Sequence, residues 1–358
     1  MLTVTLQVFR RIQRSPLRIQ TMATLTVANE PLYDFTKGST ERQQLEEALK
    51  NLEGKCEEIP VVIGGEKIFT GNCLYQVCPF DHQRKIAKYH LADKELINKA
   101  IENALSVREE WEARPLTERT NIFLKAADLI STKYRPMILA ATMIGQGKNV
   151  WQAEIDAAAE LVDFYRFNAK NALDIAQYKP IDTKESVNTM EYRGLEGFFA
   201  AISPFNFTAI AGNLAGTPAM MGNVVLWKPS DTAMLSGWTI YNILREAGLP
   251  DGVVQFLPAD GPTFGNTITA SPELSGINFT GSVKTFRHLW KQVGQNLDIY
   301  KSFPRLMGEC GGKNGDDFSV FMSAVIDDKS FARIKGYIDH AKSSPNLTIL
   351  AGGNCDDR

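Results

Sequence analysis

Between residues 199 and 297 one pattern is repeated four times, at intervals of roughly 25 to 30 residues. A short apolar run rich in Val, Ile and Phe is followed by a longer run with helical spacing. The strand-like pieces are 199–203, 224–227, 253–257 and 277–280. Helical runs extend through 219, over 233–247 and 264–270, and through about 297. Strands separated by a helix cannot form hairpins; they pair in parallel through right-handed crossovers. The repeat therefore predicts an α/β fold, a doubly wound Rossmann-type sheet covered on both faces. Such sheets bind ligands beyond the carboxyl ends of their strands.

The upstream chain is less regular. A short helix is expected over 41–51 and strands over 61–63 and 75–78. A helix over 93–112 would place Leu96, Ala100, Ala104 and Val107 on one face, and a second begins near Thr117 with Ile122, Ala126, Leu129 and Ile130 along its stripe. A third, over 150–173, groups Ile155, Ala158, Ala159 and Val162, so that most of its acids, Glu154, Asp156, Glu160 and Asp163, should be solvated. Gly145-Gln146-Gly147-Lys148 lacks the spacing and the following Ser or Thr of a phosphate loop, and reads as a glycine turn ending a helix. The polar stretch 177–193 suits an extended excursion from the main domain. Near the end, a helix is expected at 328–343 and a strand at 347–350.

With 358 residues the chain has room for two or three domains, and its charge of -2 gives no reason to expect nucleic acid or an anionic membrane as partner. No apolar run approaches the ~18 residues of a membrane span. The five cysteines suggest no disulfide framework, and Cys73 and Cys78 read as buried free thiols rather than metal ligands. Residues 1–29 contain no Asp or Glu but carry Arg10, Arg11, Arg14 and Arg18. That composition fits a mitochondrial presequence over about 1–27, hence the matrix, with a disordered tail as the alternative.

The unusual residues stand at the strand ends. After the first comes Ser203-Pro204-Phe205-Asn206-Phe207, where a carboxamide could donate to an oxygen gaining charge or simply occupy a turn. After the second is Trp227-Lys228-Pro229-Ser230, whose lysine could reach a ribose or phosphate, or snorkel from the sheet edge. The fourth ends in Phe279-Thr280-Gly281-Ser282, with Ser282 a natural N-cap of the next helix, whose N–H groups could hold a pyrophosphate. Beyond it lies Gly308-Glu309-Cys310-Gly311-Gly312-Lys313-Asn314.

Taken in order, these four motifs resemble those of the aldehyde dehydrogenase superfamily. The stretches 152–160 and 192–197 resemble the branch that oxidises L-glutamate γ-semialdehyde, formed from 1-pyrroline-5-carboxylate, to L-glutamate in proline degradation. The resemblance implies NAD as cofactor, a small-molecule substrate and no metal. It implies that Ser203, Lys228, Gly281, Ser282, Val283, Lys284 and Thr285 contact NAD, that Asn206 is the oxyanion donor, and that Glu309 is the general base for thioester hydrolysis. Glu160 matches a glutamate near the aldehyde, with a helix-surface acid as the alternative. It also implies domains at 28–308 (NAD-binding, with 177–193 as an oligomerisation-type excursion) and 309–358 (an incomplete catalytic domain), and a homo-oligomer as possible.

The chain departs from the family after Asn314. There the resemblance passes to sequence lying beyond the nucleophilic cysteine, as if several dozen residues were absent, and it stops short of the family's C-terminal region. Cys310 and Cys355 are unsuited to replace that thiol. The alternative to the family activity is therefore a catalytically silent NAD-binding isoform or fragment.

Overall fold

The computed structural model describes residues 25–311, 324–350 and 352–355; most of the expected presequence and the Asn314–Gly315 junction lie outside them. Ten strands occur among these residues: β1 Glu57–Ile59, β2 Val61–Ile63, β3 Glu66–Ile68, β4 Cys73–Cys78, β5 Asp81–His90, β6 Phe198–Ile202, β7 Val224–Lys228, β8 Val254–Phe256, β9 Leu274–Gly281 and β10 Arg305–Cys310. One sheet has the order β10-β9-β6-β7-β8-β2-β3 and the other the order β1-β5-β4.

In the larger sheet β10, β9, β6, β7 and β8 are all parallel, and β2 joins antiparallel to β8. The crossovers are the helices Thr208–Met220, Met234–Ala247, Gly261–Thr269 and Val283–Gln295, one after each repeat strand read from the sequence. Side chains alternate between two cores. Phe199, Ala201, Val225 and Trp227 pack on one face, and Phe198, Ala200, Val224 and Leu226 on the other. A sheet covered on both faces needs such continuous apolar runs, and these made the repeat legible. From β6 the chain steps through β7 to β8, then returns to place β9 on the other side of β6. The strand order thus reverses between β6 and β9, the kind of point beside which parallel sheets bind ligands.

The amino-terminal region departs further from expectation. The helix Lys94–Ala113 is capped by Asp93, but buries Ile97, Ala100, Ile101 and Ala104, so its inner face is turned from the Leu96–Val107 stripe. The ten-residue β5 is mostly polar on its exposed half and gave little apolar signal. Gly147, in the left-handed region at φ 66°, does end the helix Arg135–Gln146.

The expected continuous helix over 150–173 is interrupted: Val150–Ala153 leads into a π-helical segment, Glu154–Glu160, before Leu161–Ile175. The wider turn rotates the face by about one residue, leaving Ile155 exposed. Solvation of most of its acids is not what the structure shows. Glu154 and Asp156 are buried, and Asp163 accepts from Asn29 Nδ2 and the Glu30 N–H, each at 2.7 Å. Burial is possible because each carboxylate has partners from elsewhere in the chain. Residues 347–350 form no strand, and 177–193 are largely exposed without strand pairing. Cys78 is buried as expected, whereas Cys73 is only half-buried.

Candidate active site

Ser203 follows β6 and is buried, its Oγ accepting from Trp227 Nε1 at 2.8 Å. The turn 204–207 then leads to the helix Thr208–Met220 and is clamped from three directions. Gln146 Nε2 donates to the Phe205 carbonyl at 2.5 Å, and the Thr208 hydroxyl donates to Gln146 Oε1 at 2.7 Å. Asp156 accepts the Thr208 and Ala209 N–H groups, both at 2.9 Å, capping a helix whose preceding residue, Phe207, cannot. Lys148 reaches Asp156 at 2.6 Å and lies over the Phe207 ring at 4.4 Å. Asn206 is thereby presented, exposed, on a fixed turn at the carboxyl edge of the sheet. Gln146, Lys148 and Asp156 were missed as positioning residues. They lie far from Asn206 in sequence, and their local pattern signals only a turn and a helix.

At the end of β7, Lys228 is buried, with Nζ 3.2 Å from the Pro229 carbonyl and 3.5 Å from Asp231 Oδ1. It does not snorkel into solvent. It lines a cavity of about 500 Å³ with Ile202, Gly265, Lys284, Thr285 and His288. Ser282 caps the helix Val283–Gln295 by accepting the Thr285 N–H at 3.1 Å. A Cβ on Gly281 would stand 2.8 Å from the Phe279 ring, so this approach to the helix mouth favours glycine. Gln292 lines the same cavity, and its Oε1 is buried without a hydrogen-bond partner among the described residues. An ammonium, a capped helix start and an uncommitted polar atom in one cleft suit a nucleotide.

Glu309 is exposed on β10, in register with Thr280 of β9; Cys310 is in register with Gly281. Adjacent strand residues face opposite ways, and Cys310 packs half-buried against the second apolar core. Burial, then the Glu309 charge, push its thiol up from the ordinary value, the reverse of what activates a cysteine. Glu160, half-buried at the end of the π-helical segment, has its carboxyl raised by burial and then by Asp156. Lys148 opposes this, and Glu309 adds to it. The structure thus brings Glu160, Lys148 and Glu309 into one electrostatic neighbourhood.

The sequence pattern of the aldehyde dehydrogenase family matches residues 70–315, well over half of the chain. The chain belongs to the aldehyde dehydrogenase family. It is 54% identical to the mitochondrial delta-1-pyrroline-5-carboxylate dehydrogenase of Danio rerio, over 93% of this chain and 71% of that protein. The corresponding Homo sapiens protein is 54% identical over 95% of this chain and 71% of its own length. The structure of the Mycobacterium tuberculosis delta-pyrroline-5-carboxylate dehydrogenase bound with NAD superposes with a TM-score of 0.90 at 36% identity, covering 95% of this chain and 75% of that one. The family's α/β architecture is therefore shared by the described fold.

The alignment with the Danio rerio relative runs over 393 positions but uses 93% of the 358 residues here, about 333, leaving about 60 positions of that relative unmatched by any residue of this chain. The family match itself ends at residue 315.

One consequence concerns stability. A carboxyl whose folded value is raised above its unfolded 4.5 binds more protons in the native state, so its contribution to stability falls as pH rises from 4.5 through the raised value. Glu160→Gln is expected to stabilise the chain at pH 8 and to give no advantage at pH 4. Urea unfolding at the two pH values checks this.

Proposed function

We propose that this site performs the NAD-dependent oxidation of L-glutamate γ-semialdehyde to L-glutamate, the step completing proline breakdown. The observation that carries this reading is the convergence of Ser203, Asn206, Lys228, Ser282 and Glu309 at the carboxyl edge of the sheet, around the β6–β9 reversal. Lys228, Ser203 and the 281–285 turn would hold NAD, which supplies the hydride acceptor when bound. Asn206 would donate its N–H to the aldehyde oxygen as that oxygen gains charge. Glu309, on an exposed strand, would take the proton from the water that hydrolyses the acyl intermediate. Glu160, held towards its neutral form, would sit beside the aldehyde. The acid-free, arginine-bearing residues 1–29 and the mitochondrial names of the relatives support the mitochondrial matrix as location. The exposed 177–193 excursion, with Ile181 and Val187 outward, would serve a homo-oligomer contact.

A second reading rests on the cysteines. Cys310 faces away from Glu309 and packs half-buried against a core, Cys355 is exposed in the 352–355 segment, Cys56 directly precedes β1, and Cys73 and Cys78 lie on the separate β1-β5-β4 sheet. On that reading the chain binds NAD without forming the thioester. Calorimetric titration with NAD, alongside NADH formation from the semialdehyde, tests both: absence of binding removes both readings, and turnover removes the second. Lys228→Ala is expected to weaken NAD about tenfold, the loss of one charge-assisted hydrogen bond. Unchanged affinity would remove Lys228 from the cofactor site.

A further inference from the structure

The two edges of the larger sheet differ in what they offer a neighbouring molecule. At one end β3 is three residues long and carries Glu66 and Lys67, exposed charges of the kind that keep an edge from pairing. At the other end β10 is six residues long and pairs only with β9 among the described residues, which leaves its outer side open. Arg305, Met307 and Glu309, all exposed, point to the same face, as alternate strand residues must. Met307 is 44% exposed, and Phe303, just before the strand, 78%. Arg305 Nη1 donates to the neighbouring Phe303 carbonyl at 2.5 Å, and among the described residues neither Arg305 nor Glu309 has an ion-pair partner.

An open edge can extend its sheet by taking on another strand, and two copies related by a twofold axis meet antiparallel. With the axis normal to the sheet, directly opposed residues share a face, so each register is centred on one residue. Centring on Arg305 or on Glu309 would oppose like charges. Centring on Leu306 or on Gly308 would set Met307 opposite a charge. Centring on Met307 sets Met307 against its own copy and Arg305 against Glu309 of the second copy, twice over. On the other face Leu306 then falls opposite Gly308 of the second copy. A Cβ at Gly308 would stand 2.4 Å from the Phe286 ring, so that ring already fills the place of a side chain. Leu306 and Phe286, both half-buried against the second apolar core, would close on each other across the new pair.

We propose that β10 is a self-complementary edge through which two copies of this chain pair antiparallel about Met307, joining their larger sheets into one. The strand matches itself in charge and in apolar contact, and residues 305–309 pair entirely within it. One short ladder is smaller than a permanent interface, so the dimer is concentration-dependent, with a Kd on the order of micromolar. Within it Glu309 is held by Arg305 of the second copy and drawn away from water. That consequence rests on Glu309 as the base; the pairing itself does not.

Sedimentation equilibrium of the full chain, without NAD or aldehyde, reads the pairing across a concentration series. The wild type is expected to pass from monomer to dimer. Arg305→Glu and Glu309→Arg should each weaken the dimer at least about tenfold, because two attractive cross-strand pairs become repulsive. An equimolar mixture of the two variants should restore it, since the acidic edge of one then meets the basic edge of the other. The doubly substituted chain should likewise regain the wild-type affinity. Neither a folding defect nor a contact through 177–193 would be repaired by mixing. A wild type that stays monomeric throughout the series would overturn the proposal. So would a dimer that neither single substitution weakens, or one that the mixture fails to restore.

Discussion

On the second reading, in which the chain binds NAD without forming the thioester, incubation with NAD and L-glutamate γ-semialdehyde is expected to give cofactor binding and NADH no faster than the uncatalysed background. The family reaction passes through a thioester, and forming one requires a thiolate at the aldehyde carbon. All five cysteines of the chain lie within the described residues. Cys310 is the one closest in sequence to Glu309, and the strand alternation that exposes Glu309 turns Cys310 to the other face, half-buried against the core beside it. Burial raises its thiol further from reactivity. Removing the covalent nucleophile from a serine protease costs on the order of 10⁶ in kcat, so Glu309 and Asn206 alone would leave nothing measurable in a coupled assay. A stopped-flow or overnight NADH assay checks this. Turnover that disappears in Cys310→Ala would assign that thiol the role denied to it here. Turnover that survives both Cys310→Ala and Cys355→Ala would mean the chemistry does not need the expected covalent step.

Arg135→Ala is expected to destabilise the fold by about 3–5 kcal/mol, because it leaves buried carboxylates without their countercharge. The guanidinium is 4% exposed and lies between two carboxylates that are almost wholly buried, Glu30 at 2.6 Å and Glu154. It also donates to the Pro31 carbonyl at 2.7 Å and stacks over Tyr33 at 3.9 Å. This cluster ties residues 29–33 onto the helices Arg135–Gln146 and Leu161–Ile175. Glu30 shows the balance: burial raises its carboxyl, but hydrogen bonds from Ser131, Arg135 and Arg166 outweigh that and hold it below 4.5. A depressed folded value means that the stabilisation is present above pH 4.5 and is lost as pH falls through that lower value. The expected drop in Tm for Arg135→Ala is on the order of ten degrees. The solvent-exposed pair Arg42–Glu46 should by contrast contribute under about 1 kcal/mol. Matching melting curves for Arg135→Ala and the wild type would refute the argument.

Legibility differed along the chain for a physical reason. The four strand–helix units read cleanly because strands buried on both faces are continuously apolar and each is bounded by a capped helix or a turn. Ser282 was visible as a cap because capping is a local contact, spanning three residues. The 150–173 segment misled because apolar periodicity is blind to partners: Asp156 is buried by a helix start 52 residues away, and Glu154 by Arg135 and the 29–33 strap. The β4–β5 pairing that sets Cys73 against His90 was equally hidden, since a strand's register is fixed by its neighbour and not by its own pattern.

By itself, the sequence determined the repeating strand–helix order and the family motifs at the strand ends, both of which depend on local composition and spacing. Only the tertiary structure decided which of those ends converge at the β6–β9 reversal. It also decided that Gln146, Lys148 and Asp156 hold the Asn206 turn, and that Glu309 and Cys310 face opposite sides of one strand. Local pattern fixes where an element lies; the identity of a buried charge's partner depends on chain segments that only folding brings together.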